Sequence, residues 1–217
     1  MSLPPVFVTG GTGYIGRPLI EALLARGYRV HALVRPGAET RVPRGVAAVA
    51  GDALDAATFA AEIPEQATIV HLVGSPHPSP SMAAEFERVD LGSIRATTVA
   101  ARSAGVGHLV YVSVAQPAPV MQAYLAARAK GEACVRATAI PATILRPWYV
   151  LGPDHRWPYL LIPVYALLRL LPATRDAAVR LGLVTRTEMI AALLRAVEDP
   201  PADGVRIVEV PQIRRAG

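Results

Sequence analysis

The stretch FVTGGTGYIGRPL, residues 7–19, decides the fold, because it joins a buried strand to a helix through a glycine-rich turn. The strand PVFVTG (5–10) precedes the turn, and the helix covers about 14–26. Such a turn brings free backbone N–H groups and the positive end of a helix dipole to one point. A tight turn without a ligand is the alternative. The favoured interpretation is a phosphate-binding loop formed by Gly10, Thr12, Gly13, Tyr14, Ile15 and Gly16.

Two overlapping glycine patterns fit this loop. Gly11-x-Gly13-x-x-Gly16 is the dinucleotide fingerprint of many dehydrogenases, whereas Gly10-x-x-Gly13-x-x-Gly16 is the spacing of another large group of nicotinamide-binding proteins. Both patterns need glycine, because a Cβ would block the approach of a pyrophosphate and the close packing of helix on sheet. The two groups do their chemistry with different residues, so the choice between the patterns matters.

Strand-like and helix-like segments alternate through about the first 150 residues. Further strands are predicted at 29–34, 45–51, 68–74, 109–114 and 142–147, and further helices at 83–104 and 121–137. Strand, helix and strand in this order form right-handed units with a parallel sheet covered on both faces. The sequence therefore predicts an α/β fold with a Rossmann-type, doubly wound parallel sheet.

The alternation breaks beyond Gly152. An apolar helix is predicted at 158–171, a helix at 185–199 that begins with a capping box of Thr185 and Glu188, and a last strand at 204–210. We expect the 217 residues to form a single domain, 1–217. Residues 152–185 are expected to form a small substrate-side lid rather than a full second domain.

Composition excludes several classes of protein. Apolar residues make up 52% of the chain and charged residues 18%, as in ordinary globular proteins. The formal charge is +5, but no basic run exceeds two residues, so nucleic acid is not an expected partner. The apolar tract 157–172 is interrupted by two prolines and an arginine and is too short to span a membrane.

The cysteine and histidine residues bear on localisation and on metal binding. A single cysteine, Cys134, excludes an internal disulfide, and no signal region precedes the first strand, so we expect a cytoplasmic protein. The histidines share no metal-ligand spacing, and no metal site is predicted. His71, inside a strand, is interpreted as a packed core residue. The five histidines are at positions 31, 71, 77, 108 and 155.

The residue after the second strand distinguishes two cofactors. An acid there would accept the ribose 2′-hydroxyl hydrogens of NAD. This chain instead has Arg35, with Arg41 and Arg44 nearby, and a guanidinium pairs with a 2′-phosphate through charge-assisted hydrogen bonds. NADP is therefore favoured over NAD, the alternative being that Arg35 is a solvated loop residue.

Three segments carry a resemblance to a known family: VTGGTGYIG, VR after the second strand and GDALD after the third. From about residue 5 to 153, the chain resembles the short-chain dehydrogenase/reductase superfamily. The closest similarity is to its atypical NAD(P)H-binding members, of the epimerase-like and nitrogen-metabolite-repressor-like group. The resemblance selects the Gly10, Gly13, Gly16 spacing. It implies that Asp52 binds the adenine amino group beside Ala53. Asp52 could also cap the following helix, and the two roles are not exclusive. The resemblance also implies that the adenosine ribose and the diphosphate pass along Leu72, Val73 and Gly74.

The same resemblance implies a catalytic helix. The family carries a tyrosine and, four residues later, a lysine on one helix face, and AYLAARAKGEACVRA matches that run. Tyr124 falls on the tyrosine position, but Arg128 occupies the lysine position, and Lys130 would point to another side of the helix. The partner hydroxyl is either Ser113 or absent, because many epimerase-like members use the position of Ala115.

The segment ILRPWYVLGP (144–153) resembles the family's segment after the sixth strand. By that resemblance, Pro147 and its neighbours contact the carboxamide end of the nicotinamide, and Trp148 and Tyr149 border the substrate space. We expect an NADP-dependent oxidoreductase that transfers a hydride to or from a small organic carbonyl substrate, acting as a monomer or homodimer. A non-catalytic NADP(H) sensor, motivated by the altered tyrosine–lysine pair, and an epimerase-like isomerase are the alternatives.

Overall fold

The computed structural model describes residues 3–76, 78–152 and 172–217. Seven strands in these residues form one sheet in which every neighbouring pair is parallel. The predicted parallel α/β sheet is confirmed. Its strands are β1 (Val6–Thr9), β2 (Val30–Val34), β3 (Ala47–Ala50), β4 (Thr68–His71), β5 (His108–Val112), β6 (Ala142–Arg146) and β9 (Val205–Glu209).

The strand order is β3-β2-β1-β4-β5-β6-β9. The chain therefore builds the sheet outward from β1 in one direction and then, starting at β4, in the other. In open parallel sheets a ligand crevice forms at this change of direction, outside the carboxyl ends of the strands. The glycine loop follows β1 and lies at that point.

Helices flank the sheet. The helices are α1 (Gly16–Ala25), α2 (Ala83–Glu85), α3 (Gly92–Ser103), α4 (Gln122–Arg136), α5 (Pro172–Arg180), α6 (Arg186–Glu198) and α7 (Val210–Arg214). A π-helical turn, Phe86–Leu91, joins α2 to α3, so the single helix predicted at 83–104 contains one widened turn. The short α7 was not predicted from the sequence.

Each face of the sheet has its own core, as the doubly wound fold requires. On one face Val6 and Val8 of β1 pack with Leu19 of α1 and Leu193 of α6. On the other face Phe7, between those two valines, packs with residues such as Ile94 of α3. The alternation along β1 follows from the two-residue period of a strand. The central strands β1 and β4 are buried on both faces, which is why they read as continuous apolar runs.

A second, two-stranded sheet pairs β7 (Tyr149–Leu151) in parallel with β8 (Leu183–Thr185). The predicted capping box at the start of α6 is present: Thr185 Oγ1 accepts from Glu188 N at 3.1 Å, and Thr185 N donates to Glu188 Oε2 at 2.6 Å. Most of the predicted lid, including the apolar helix at 158–171, lies outside the described residues. No helix within the described ranges is long and apolar enough to cross a membrane.

Candidate functional site

The glycine loop needs two of its glycines for geometric reasons. Gly10 has φ +75°, and a Cβ there would lie 2.9 Å from the carbonyl carbon of Leu72. A Cβ on Gly16 would lie 2.8 Å from the Cα of Gly11 and would overlap the carbonyl oxygen of Gly10. The amide of Gly13 closes the turn by donating to Gly10 O at 3.0 Å. The loop is thus held tightly enough to leave the backbone facing a ligand.

The start of α1 lies beside this loop. Within the described residues, no side chain caps its first turn, and no acidic side chain lies there. The positive end of the helix dipole is therefore not compensated locally, a situation that favours an anion.

A cleft of about 460 Å³ opens at the carboxyl ends of the central strands. Most of the residues predicted for cofactor binding or catalysis line this one cleft: Gly10, Gly13, Tyr14, Ile15, Gly16, Leu72, Gly74, Ser113, Tyr124, Arg128, Pro147, Trp148 and Tyr149. Five predicted residues are not among its lining: Thr12, Arg35, Asp52, Ala53 and Val73. The structure therefore brings the residues predicted for the nicotinamide end of the cofactor and those predicted for its diphosphate into one cleft.

Arg35 lies just beyond β2 and is exposed. In the part of the chain that the structure describes, its guanidinium makes neither an ion pair nor a hydrogen bond. The neighbouring turn is fixed instead by Glu39, whose carboxylate accepts from the amide of Gly37 at 3.1 Å. The charge of Arg35 therefore remains available to an anion.

Asp52 follows β3 and is exposed, with Ala53 half-buried beside it. Its carboxylate accepts from the amide of Leu54 at 2.9 Å. The cap of the following 3₁₀ turn is Asp55, whose carboxylate accepts from Ala57 N at 3.0 Å. The alternative that Asp52 caps that helix is therefore wrong, because the cap lies three residues later.

Tyr124 and Arg128 lie one turn apart on α4 and face the cleft together. The ring of Tyr124 packs edge-on against Phe86 with centroids 5.0 Å apart, and the guanidinium carbon of Arg128 lies 5.2 Å from the Tyr124 ring centroid. Lys130 points elsewhere, as predicted, and pairs on the surface with Glu87 at 2.5 Å. The aromatic contact with Phe86 was not foreseen from the sequence.

Arg128 is buried, and its guanidinium is bound on two sides. Nη2 lies 2.6 Å from Asp90 Oδ1, and Nη1 donates to the carbonyl oxygen of Val112 at 2.9 Å. Burial by itself lowers the pKa of Arg128, but Tyr124, Tyr111 and Asp90 raise it, and the net change is upward. The guanidinium therefore stays charged and fixed in place.

Asp90 connects two walls of the cleft. It lies in the π-helical turn and is fully buried. Its second oxygen, Oδ2, accepts from the hydroxyl of Ser75 at 2.6 Å and from the Ser75 amide at 3.1 Å. Ser75 lines the cleft on the loop after β4. Sequence reasoning missed both residues, because Asp90 is one of several charged residues in its helical segment and nothing in the sequence distinguishes it from the exposed ones.

Ser113 follows β5 and is 3% exposed. Its hydroxyl donates to Glu132 Oε1 at 2.7 Å. Glu132 is itself held by Arg146, whose Nε donates to Oε1 at 2.8 Å and whose Nη2 donates to Oε2 at 2.6 Å. The hydrogen bonds to Glu132 raise the pKa of Arg146. Ala115, the alternative position for a hydroxyl, is buried and offers the cleft no side-chain polar group.

His71 is a buried core residue, as predicted. Its Nδ1 lies 3.0 Å from the hydroxyls of both Thr9 and Thr97. Burial, with a smaller contribution from Arg128, lowers the pKa of His71 to about 3, so the ring is neutral. No cluster of three or more metal-ligating side chains exists among the residues the structure describes, which do not include His77 or His155.

Residues 10–159 match a family model described as NAD(P)H-binding. The chain belongs to this NAD(P)H-binding family. Among curated relatives of this NAD(P)H-binding chain, a ceramide reductase of Caulobacter vibrioides is 32% identical over 98% of the chain and 66% of its own length. A 3-diazoavenalumate denitrifying reductase of a Streptomyces species is 34% identical over 83% of the chain and 54% of its own length. The chain thus spans about half to two thirds of these relatives.

Solved structures similar to this NAD(P)H-binding chain include the Bordetella bronchiseptica enzyme WbmG in complex with NAD. Its TM-score is 0.69 at 21% identity, over 96% of this chain and 73% of that one. A short-chain dehydrogenase/reductase superfamily protein from Agrobacterium tumefaciens with bound NAD gives 0.68 at 20% identity, over 94% and 77%. The predicted resemblance to that superfamily is confirmed at the level of the fold. At these identities the likeness shows the shared fold.

Proposed function

We propose that the protein is an NADP(H)-dependent oxidoreductase that transfers a hydride to or from an uncharged organic carbonyl compound. The observation that carries the proposal is the shared cleft: the glycine loop, Tyr124, Arg128 and Ser113 all line it. Two relatives named as reductases, from Caulobacter and Streptomyces, support the reaction class. The cleft is lined mainly by apolar side chains, which favours a substrate of modest polarity.

The residues present fit a dinucleotide. A Cβ at Gly10 would collide with the backbone of Leu72, and one at Gly16 with the backbone of Gly10 and Gly11, so the tight turn before α1 requires both glycines. The uncapped start of α1 favours the charge of a pyrophosphate. Arg35, exposed and without an ionic partner among the described residues, would hold the 2′-phosphate. The cofactor, when bound, supplies or accepts the hydride.

The chain's own residues would handle the proton. In the reductive direction the Tyr124 hydroxyl donates its proton to the carbonyl oxygen as the carbon is reduced, and in the oxidative direction the tyrosine accepts it back. Arg128 keeps N–H groups beyond those bonded to Asp90 and Val112, and these would bind the nicotinamide ribose. The Ser113 hydroxyl donates to Glu132, so toward the cleft it offers lone pairs to a donor such as the tyrosine hydroxyl.

A non-catalytic NADP(H) sensor is the second candidate. The observation that favours it is the binding of Arg128 to Asp90, because a guanidinium fixed in a buried ion pair differs in shape and proton affinity from the lysine that the family uses. The two candidates share the cofactor and differ in turnover.

Calorimetric titration with NADPH and NADH tests the cofactor assignment. We expect NADPH to bind about tenfold or more tightly, about 1.4 kcal/mol, and Arg35→Asp to abolish that preference. Arg95→Asp is the matched control, since Arg95 is an exposed arginine on α3 that does not line the cleft. Equal affinity for the two nucleotides in the unmodified protein would refute the role of Arg35.

Turnover then separates enzyme from sensor. A screen of aliphatic and aromatic ketones with NADPH, followed at the nicotinamide absorbance, should reveal a substrate that Tyr124→Phe no longer reduces while NADPH affinity is retained. Normal turnover by the Phe variant would remove Tyr124 as the proton donor. Absence of hydride transfer with every ketone, combined with tight NADPH binding, would favour the sensor.

A further inference from the structure

Besides the start of α1, which favours an anion, one side chain determines the ionic character of the cleft. Among the described residues that line it, Arg128 is the only one with a charged side chain. A lone buried guanidinium would make the cleft a site for anions, since the low dielectric of the surrounding protein strengthens its field. Whether the cleft attracts anions therefore depends on how that charge is compensated.

Asp90 compensates the positive charge of Arg128. The Nη2 of Arg128 lies 2.6 Å from Asp90 Oδ1, and the two side chains are 7% and 0% exposed. Water and salt screen a pair at this depth much less than an exposed pair, so the charge of Arg128 is compensated mainly by Asp90. The second buried carboxylate near the cleft, Glu132, is matched in the same way by Arg146, which binds it through two nitrogens.

Ser75 also holds the carboxylate of Asp90 in place. Both hydrogen bonds from Ser75 reach Oδ2, which leaves Oδ1 directed at Arg128. The cleft therefore combines mainly apolar walls with a charge pair whose sum is zero. A ligand carboxylate entering this space would lose its hydration without gaining a net opposite charge, which is costly, whereas an uncharged ligand loses little.

We propose that Asp90 is a specificity-determining residue: by neutralising Arg128 it restricts the reacting part of the substrate to uncharged compounds. This inference rests on the proposed function, because it concerns what enters the same cleft. Asp90 acts through Arg128 and touches no substrate itself.

A pair of aldehydes that differ only in charge tests the inference. The probes are methyl 4-formylbenzoate, which is neutral, and 4-formylbenzoate, which carries a carboxylate. Their dissociation constants are measured by calorimetry on the cofactor-free protein and on the protein saturated with NADP. We expect the unmodified protein to bind the ester at least about tenfold more tightly than the carboxylate, and Asp90→Asn to shift that ratio at least about tenfold toward the carboxylate.

Two further variants separate charge from structure. Glu87→Gln removes a carboxylate charge from the same π-helical turn, but at the surface, where Glu87 pairs with Lys130 and does not line the cleft, so its ratio should equal that of the unmodified protein. The double variant D90N/R128Q is again neutral and should regain the preference for the ester. A merely structural role for Asp90 would instead leave D90N/R128Q with the same ratio as Asp90→Asn. Circular dichroism verifies the fold of each variant.

Three outcomes would overturn the inference: a carboxylate bound as tightly as the ester by the unmodified protein, an unchanged ratio in Asp90→Asn, or binding of neither probe. The first and third need no variant, so the inference remains testable if Asp90→Asn does not fold. A separate NADPH titration identifies failure of the proposed function. If NADPH does not bind, the probe ratio of the cofactor-free protein still decides whether Asp90 sets the charge of the cleft.

Discussion

Replacing Glu132 by glutamine removes the charge from the most heavily bonded carboxylate near the cleft. Glu132 is 4% exposed and accepts from Ser113 at 2.7 Å, from Gln116 at 2.9 Å and twice from Arg146. Glutamine keeps one acceptor oxygen, but it puts an NH₂ group where Oε2 now accepts from Arg146. Two donors would then face each other in the protein interior.

The expected cost follows from the burial of this pair. Removing one partner of a buried ion pair costs about 3–5 kcal/mol, because the other charge is left uncompensated. Arg146 keeps a second partner here, since its Nη1 lies 3.0 Å from Glu209, and its side chain is 18% exposed. The loss therefore falls toward the lower limit, and we expect Glu132→Gln to reduce the free energy of unfolding by about 3 kcal/mol.

Urea denaturation, followed by circular dichroism, measures that loss. Asp199→Asn is the matched control: Asp199 pairs with Arg206 at 2.9 Å, but its side chain is 71% exposed, so the same change of charge should cost less than about 1 kcal/mol. A loss below about 1 kcal/mol in Glu132→Gln as well would refute the argument that burial, rather than the mere presence of an ion pair, determines the cost.

Two other changes are expected to alter stability measurably. Burial lowers the pKa of His71 to about 3, so the folded state binds fewer protons than the unfolded state below the ordinary histidine pKa, and stability is lost as the pH falls. His71 should contribute about 2 kcal/mol to the decrease in the free energy of unfolding between about pH 7.5 and about pH 5. In urea denaturation at both pH values, the free energy of unfolding of His71→Asn should therefore decrease by about 2 kcal/mol less than that of the unmodified protein. Thr185→Ala removes the hydroxyl that accepts from Glu188 N at 3.1 Å, and should lower stability by about 1 kcal/mol in the same assay. An unchanged denaturation midpoint in that variant would mean that the capping box contributes nothing.

The sheet was predictable from the sequence because its signals are local. Runs such as PVFVTG and TIVHLVG are apolar on both faces, as strands of a covered parallel sheet must be, and the glycine loop marks the first turn. The strands β7 and β8 were missed, since three residues are too few to show a period.

The site was predictable only in part. Tyr124 and Arg128 were placed together because their separation of one helical turn is visible in the sequence. The partners of Arg128 and Ser113 were not. Asp90 lies in the π-helical turn and Arg128 on α4, and Glu132 lies on α4 and Ser113 after β5, so only the tertiary packing brings each pair together. Asp90 follows Glu85 and Glu87 in the same helical stretch, so the sequence does not show which acid is buried, and the π-helical turn that carries Asp90 leaves no periodic signal in so short a segment.

That widened turn, Phe86–Leu91, bears on how such a cleft is gained or lost over evolution. A π-helical turn holds one residue more than an α-helical turn. Deleting a residue there would restore an ordinary α-helix and leave the segments on either side in nearly the same register, because the widened turn absorbs the additional residue. The turn itself carries Phe86, which packs on Tyr124, and Asp90, which pairs with Arg128. A single codon, gained or lost, thus changes the part of the helix that supports both cleft residues while α3 keeps its place against the sheet.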